Sequence, residues 1–192
     1  MKLEKSNRFS PCSGPVVTIV LDGVGISPRE EGDAIKTART PFLDGLFRDY
    51  PWTELQAHGV AVGMPSDEDM GNSEVGHNAM GAGRVFAQGA KLVSESIAAG
   101  RLWQGEAWKE VVAAASKGKS LHFIGLFSDG NVHSHIDHLK AMLVRAKQDG
   151  VKKARVHILL DGRDVGETSA LDYVDPFEAF LKELNTDGYD AA

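Results

Sequence analysis

Leu121-His122-Phe123-Ile124-Gly125-Leu126-Phe127 is an apolar run that stops at Ser128-Asp129-Gly130. Its length and composition read as a strand, and the Asp-Gly pair as the turn that ends it. Two further runs share the form. Val16-Val17-Thr18-Ile19-Val20-Leu21 ends in Asp22-Gly23, and Ala154 to Leu160 ends in Asp161-Gly162. Between the second and third runs, Ile136, Leu139, Met142, Leu143 and Ala146 follow helical spacing, and Gly150 supplies a stop. Strand, helix and strand with short connections give parallel βαβ units. Ligands in such sheets bind beyond the carboxyl ends of the strands. Asp22, Asp129 and Asp161 all stand at those ends. Turn chemistry alone accounts for Asp129, whereas Asp22 and Asp161 have neighbours that point to chemistry.

Outward from this core, the rest of the chain is punctuated by turn and cap residues. Residues 1–14 read as a loose arm. Thr40-Pro41 reads as N-cap and first residue of a short helix through Phe42, Leu43, Leu46 and Phe47. Residues 53–63 are mixed and Gly-punctuated, in keeping with a short strand. Residues 106–117 have good helix composition, with Gly118 to end them. A last helix begins at Thr168 or at Pro176 and carries Phe177, Phe180, Leu181 and Leu184.

The 192 residues are 42% hydrophobic and 25% charged, the balance of a globular protein rather than a disordered one. A net charge of −6 and the lack of any basic block argue against nucleic acid as a partner. Cys12 is the lone cysteine and has no internal partner for a disulfide, so a reducing cytoplasm is expected. The first fifteen residues are polar, without the apolar core of a signal peptide, and no run is long enough to span a membrane.

Chemistry concentrates in Asp69-Met70-Gly71-Asn72-Ser73-Glu74-Val75-Gly76-His77-Asn78. Gly71 and Asn72 suit a sharp turn, and Ser73 suits the N-cap of a following helix. A serine there faces free backbone N–H groups, where a phosphoryl oxygen is stabilised. It is either an ordinary cap or a nucleophile, and local sequence leaves both readings open. Gly162-Arg163-Asp164 after the third strand pairs a guanidinium fork, matched to anionic oxygens, with a carboxylate that accepts from an alcohol. The plain alternative is a surface ion pair.

Two motif readings are weaker. Gly23-Val24-Gly25 has Pro28 where a dinucleotide fingerprint needs its third glycine, and no phosphate loop ending in Gly-Lys-Ser/Thr occurs. His133-Ser134-His135-Ile136-Asp137-His138 matches the H-x-H-x-D-H pattern of metallo-β-lactamase-like hydrolases. Downstream ligands are missing, since only His157 follows and Leu139-Lys140-Ala141 continues a helix. One functional imidazole at a helix start accounts for the pattern better than a zinc site.

Together these blocks resemble the cofactor-independent (2,3-bisphosphoglycerate-independent) phosphoglycerate mutases. The matching stretches are Val20 to Gly25, Thr40 to Asp44, Asp69 to Asn78, Gly81 to Val85, Gly125 to His135 and Leu160 to Asp164, in the family's order. The resemblance implies an α/β fold: part of a parallel-sheet, alkaline-phosphatase-like domain at 15–85, then the start of an inserted α/β phosphotransferase domain at 86–192. It implies two divalent ions, typically manganese, with no requirement for 2,3-bisphosphoglycerate. Carried over by motif, Ser73 would be the nucleophile and a metal ligand, and Asp22 another metal ligand. His133, Arg163 and Asp164 would contact the small-molecule substrate, 3-phosphoglycerate or 2-phosphoglycerate. Asn131 departs from the family, standing where a second glycine is common. Family members are also much longer, so a missing C-terminal part is expected to complete the site, and the chain alone to be inactive. The uncovered sheet edges and apolar surface of a partial domain predict association or poor solubility. Two other functions remain open on sequence alone: a metal-dependent hydrolase built on His133–His138, and a non-catalytic split subunit.

Overall fold

In the computed structural model, which describes residues 7–10, 12–87 and 89–192, the architecture is set by two eight-residue strands in parallel. Strand β1 is Ser120–Phe127 and β2 is Lys153–Leu160. Leu121 is opposite Ala154 and Phe127 opposite Leu160, so both strands end at the same edge. A short strand β3, Asp190–Ala191, adds to the other side of β2, giving the order β1-β2-β3. The two apolar runs and their Asp-Gly stops thus form the expected α/β core with a parallel sheet.

The chain divides into two units, one up to Thr53 and one from Glu54 to Ala192. In the first unit, α1 is Ala34–Thr37 and α2 is Pro41–Asp49. Asp33 caps α1 by accepting from the Ile35 and Lys36 amides. Pro41 opens α2, and the Thr40 hydroxyl donates to Asp44 one turn on, at 3.0 Å. The strand expected at 16–21 does not form. A strand is completed only by a neighbour's backbone, and these residues pair with no other strand among those described. Val16, Val17 and Ile19 each remain more than 75% exposed. Of the arm expected at 1–14, residues 1–6 and 11 lie outside the described residues.

In the second unit, residues 59–62 form a 3-10 turn, Gly59–Val62, instead of the short strand expected there. Gly59 and Gly63, both at positive φ, favour a tight turn over extension. Helices α3 (Ser73–Ala82), α4 (Gly89–Ala98) and α5 (Glu106–Ala115) precede β1. Helix α6, Ile136–Gln148, is the crossover from β1 to β2, and α7, Ala170–Leu184, the crossover to β3. Helix α7 runs through Pro176, because Phe177 and Leu181 beyond it are buried in the core.

The core gathers Leu143 and Ala146 of α6, Phe177 and Leu181 of α7, and Val112 and Ala115 of α5 on one face of the sheet. Phe127 meets Phe177 edge to face, with ring centroids 5.0 Å apart. Tyr189 donates to the Leu143 carbonyl at 3.2 Å, and burial pushes its hydroxyl pKa to about 12. Ile124 and Leu159, which alternate with the core residues along β1 and β2, stay exposed. No helix among the described residues is long and apolar enough to cross a membrane.

Candidate active site

Because β1 and β2 end at one edge, the loops that follow them emerge side by side. The β1 loop is braced by Ser128, which is buried. Its carbonyl accepts from the Ile136 amide at 2.8 Å, and its hydroxyl from the Gly130 amide at 3.1 Å. The β2 loop is wound around Asp161, whose Oδ1 accepts from the amides of Arg163 at 2.9 Å and Asp164 at 3.2 Å. The Arg163 amide, the nearby Ser128 hydroxyl and the Asp164 amide outweigh the opposing effect of desolvation and hold the Asp161 carboxyl down at about 2. Gly130 comes so close to the second loop that a Cβ there would sit 2.7 Å from the Asp164 Cβ. This close approach lets His133 Nδ1 reach Asp164 Oδ2 at 2.8 Å.

Ser73 arrives from a third segment. It is the first residue of α3, not the N-cap. Asn72 caps the helix by accepting from the Val75 amide at 3.0 Å. Asn and Ser are comparable caps, so a Gly-Asn-Ser sequence leaves the boundary ambiguous by one residue. The capping task therefore falls to Asn72, and Ser73 Oγ stands in the first turn, where the amides of a helix N-terminus favour an anionic oxygen. Gly71 passes directly over the Ala57 carbonyl, leaving no room for a Cβ.

Asp69 anchors this segment. Its carbonyl accepts from the Gly59 amide at 3.0 Å, and its Oδ2 from the Ser66 amide and hydroxyl at 2.8 and 2.7 Å. Its Oδ1 accepts from Asn131 Nδ2 at 2.6 Å. Partial burial alone would raise the Asp69 pKa, but the donors from Ser66 and Asn131, together with the charge of His135, hold it below its ordinary value.

Ser73, His133, Arg163 and Asp164 all line one cavity of about 640 Å³, with Asp69 and Asp129 also on its wall. Four of the five residues given roles by the family resemblance thus line one cavity, although they come from three separate segments. The fifth, Asp22, belongs to the first unit, where its carboxylate accepts from the Gly23 amide at 3.0 Å and shapes the turn.

The other two histidines of the 133–138 run are used elsewhere. His135 caps α6, accepting from the Asp137 amide at 3.2 Å. His138 Nε2 is 2.8 Å from Ser94 Oγ. Burial first, then the charge of His135, keeps the His138 pKa below its ordinary value. No three His, Cys, Asp or Glu side chains among the described residues gather as a metal ligand set. Asp22 and Ser73 alone are too few donors to close a metal site.

Three polar residues of this site escape a reading of the sequence. Asn131 stands out there only as a departure from a glycine common in the family, and it adopts φ 59°, a conformation that glycine takes easily. Asp129 does more than turn the chain, because Tyr173 donates to it at 2.9 Å. Asp69 opens the stretch in which chemistry concentrates, but the sequence gives it no role of its own. The signal available for Asp69 and Asp129 is their place inside the long blocks shared with the mutases.

A family model described as BPG-independent PGAM N-terminus matches residues 93–189. The chain is 58% identical, over 193 aligned positions and 99% of its length, to a probable 2,3-bisphosphoglycerate-independent phosphoglycerate mutase of Leptospira interrogans, and covers 35% of that protein. It is 48% identical over 94% of its length to the 2,3-bisphosphoglycerate-independent phosphoglycerate mutase of Zea mays, covering 33% of it. A crystal structure of Leishmania mexicana phosphoglycerate mutase at low cobalt concentration superposes with a TM-score of 0.79 at 48% identity, over 90% of this chain and 32% of the other. The chain therefore spans about a third of the length of the relatives it matches. Sequence, family model and fold agree that it belongs to the 2,3-bisphosphoglycerate-independent phosphoglycerate mutase family, as its N-terminal portion.

Proposed function

We propose that these residues belong to an enzyme that interconverts 3-phosphoglycerate and 2-phosphoglycerate through a phosphoserine at Ser73. The observation that carries this reading is the shared cavity of Ser73, His133, Arg163 and Asp164. In the first transfer, Ser73 Oγ gives up its proton and forms a bond to phosphorus as the bond from phosphorus to the C3 oxygen breaks, and the C3 oxygen takes up a proton to leave as a hydroxyl. Glycerate then turns, its C2 hydroxyl attacks the phosphoserine, and Ser73 is regenerated as 2-phosphoglycerate leaves. The phosphoryl group never needs a second phosphorylated cofactor, which is why 2,3-bisphosphoglycerate is dispensable.

The residues divide this work by chemistry. The α3 N-terminus stabilises charge on the phosphoryl oxygens. Glycerate must be retained without its phosphate, and the Arg163 guanidinium can grip its carboxylate in fork geometry. Asp164 uses Oδ2 on His133, leaving Oδ1 to accept from a glycerate hydroxyl. A carboxylate can only accept, so the neutral His133 ring carries its proton on Nδ1. Its Nε2 is then the acceptor available to take a proton, and once protonated it can donate to a phosphate oxygen. Asp22 and Ser73 would each be an oxygen ligand for divalent ions, two manganese ions in this reading, with the other ligands supplied from outside these residues. Such a centre lowers the pKa of a serine hydroxyl and neutralises phosphoryl charge. The same reading makes 15–85 part of the phosphatase-like domain, makes 86–192 part of the inserted one, and places the enzyme in the cytoplasm.

The test is an enolase-coupled assay without 2,3-bisphosphoglycerate. The full-length protein is expected to convert 3-phosphoglycerate, and residues 1–192 alone to show no turnover. No conversion by the full-length protein, or turnover by the 192 residues alone, contradicts the reading.

A further inference from the structure

We propose that Asn131 is a positioning residue that fastens the loop carrying His133 to the loop carrying Ser73, through Asp69. The inference rests on the reading above in one respect: Ser73 and His133 serve the same reaction. The bond itself is a feature of the fold. Asn131 Nδ2 donates to Asp69 Oδ1 at 2.6 Å, across 62 residues of sequence. Asn131 lies two residues before His133, and Asp69 four residues before Ser73.

Each end of this link is held. Asp69 is fixed by Ser66 and by the Gly59 amide, so its carboxylate is a stationary acceptor. Asn131 is held at φ 59°, a conformation in which glycine is easier. Glycine would meet the backbone requirement and provide no amide. Asparagine is one of the few side-chain-bearing residues that tolerates the conformation and also reaches Asp69. The bond is not surface decoration, because Asn131 Oδ1 is buried with no partner among the described residues. A buried carbonyl left unpaired opposes this arrangement, while the charge-assisted bond at Nδ2 favours it. Gly130 abuts Asp164, and Asp164 holds His133, so a shift at Asn131 reaches both substrate-facing side chains.

Three variants of the full-length protein test this: Asn131→Gly, Asn131→Asp, and Asn131→Asp combined with Asp69→Asn. The first removes the amide and relieves the backbone. The second sets two carboxylates against each other. The third rebuilds the bond with donor and acceptor exchanged. Misplacement of reacting groups by about 1 Å can cost on the order of a hundredfold in rate. We expect kcat to fall about tenfold or more in Asn131→Gly, and further in Asn131→Asp, with KM within about twofold. The double variant is expected to recover at least half of the lost kcat, and amide exchange at Gly59 and Ser66 to quicken in the single variants and slow again in the double. Unchanged kcat in Asn131→Gly, or no recovery in the double variant, overturns the proposal. If the full-length protein does not isomerise 3-phosphoglycerate at all, the proposed function falls. The exchange measurement then decides the link, and unchanged exchange at Gly59 and Ser66 overturns it.

Discussion

His133 Nδ1 lies 2.8 Å from Asp164 Oδ2, joining the loop after β1 to the loop after β2. The pair is asymmetric, since the imidazole is exposed and the Asp164 side chain is only 9% exposed. The buried acceptor therefore orients the exposed ring. In the neutral ring the proton is expected on Nδ1, with Nε2 unprotonated. Long-range 15N–1H correlation of the His133 ring reads this directly. Asp164→Ala should let the ring relax to a mixture of tautomers, and a wild-type ring protonated at Nε2 alone would contradict the assignment.

Asp161 gives the fold an acid-sensitive corner. Its carboxyl titrates near 2 in the folded chain, against 3.8 when unperturbed. Between those values the unfolded chain binds a proton that the folded chain does not. Stability therefore rises with pH through this window, is complete above about pH 4, and is lost as pH falls toward 2. Denaturant midpoints measured from pH 2 to 5 should show a shallower acid slope in Asp161→Asn. An unchanged slope would mean that the β2 loop does not depend on the carboxylate.

Asn72 holds the turn that presents Ser73. Removing a side-chain cap costs about 1 kcal/mol. Asn72→Ala should lower stability by about that amount and speed amide exchange at Val75, whose N–H donates to Asn72 Oδ1. Asn72→Ser should retain most of the protection. Equal protection at Val75 in all three proteins would show that the cap does not fix the turn.

Leu143 is fully buried in α6, at the centre of the cluster under the sheet. Leu143→Ala should cost roughly 2–5 kcal/mol, the range for truncating a buried leucine. Leu143→Met should cost less than about 1.5 kcal/mol. Guanidinium unfolding curves compare the two, and a near-neutral Leu143→Ala would mean that the core does not depend on this packing.

The features legible in the sequence are those decided locally. The apolar runs of β1 and β2 with their Asp-Gly stops, and the periodicity of α6 ending at Gly150, need only neighbouring residues to be read. The run at 16–21 has the same composition as β1, yet it is no strand here, because strand pairing depends on a partner that composition cannot supply. The cap of α3 falls one residue earlier than its sequence suggests, since Asn72 and Ser73 are both competent. The gathering of Ser73, His133, Arg163 and Asp164 is legible through family resemblance and not through periodicity. The Asn131–Asp69 contact is not legible at all, because nothing local ties an asparagine after β1 to an aspartate 62 residues earlier.

The claim on which the rest depends is that Ser73 carries the phosphoryl group between the two halves of the reaction. The most direct measurement is to quench the full-length protein during turnover of phosphate-labelled 3-phosphoglycerate and map the labelled peptide. The account predicts label on Ser73 and none on the Ser73→Ala protein. Label on another residue, or label that persists in Ser73→Ala, would contradict it.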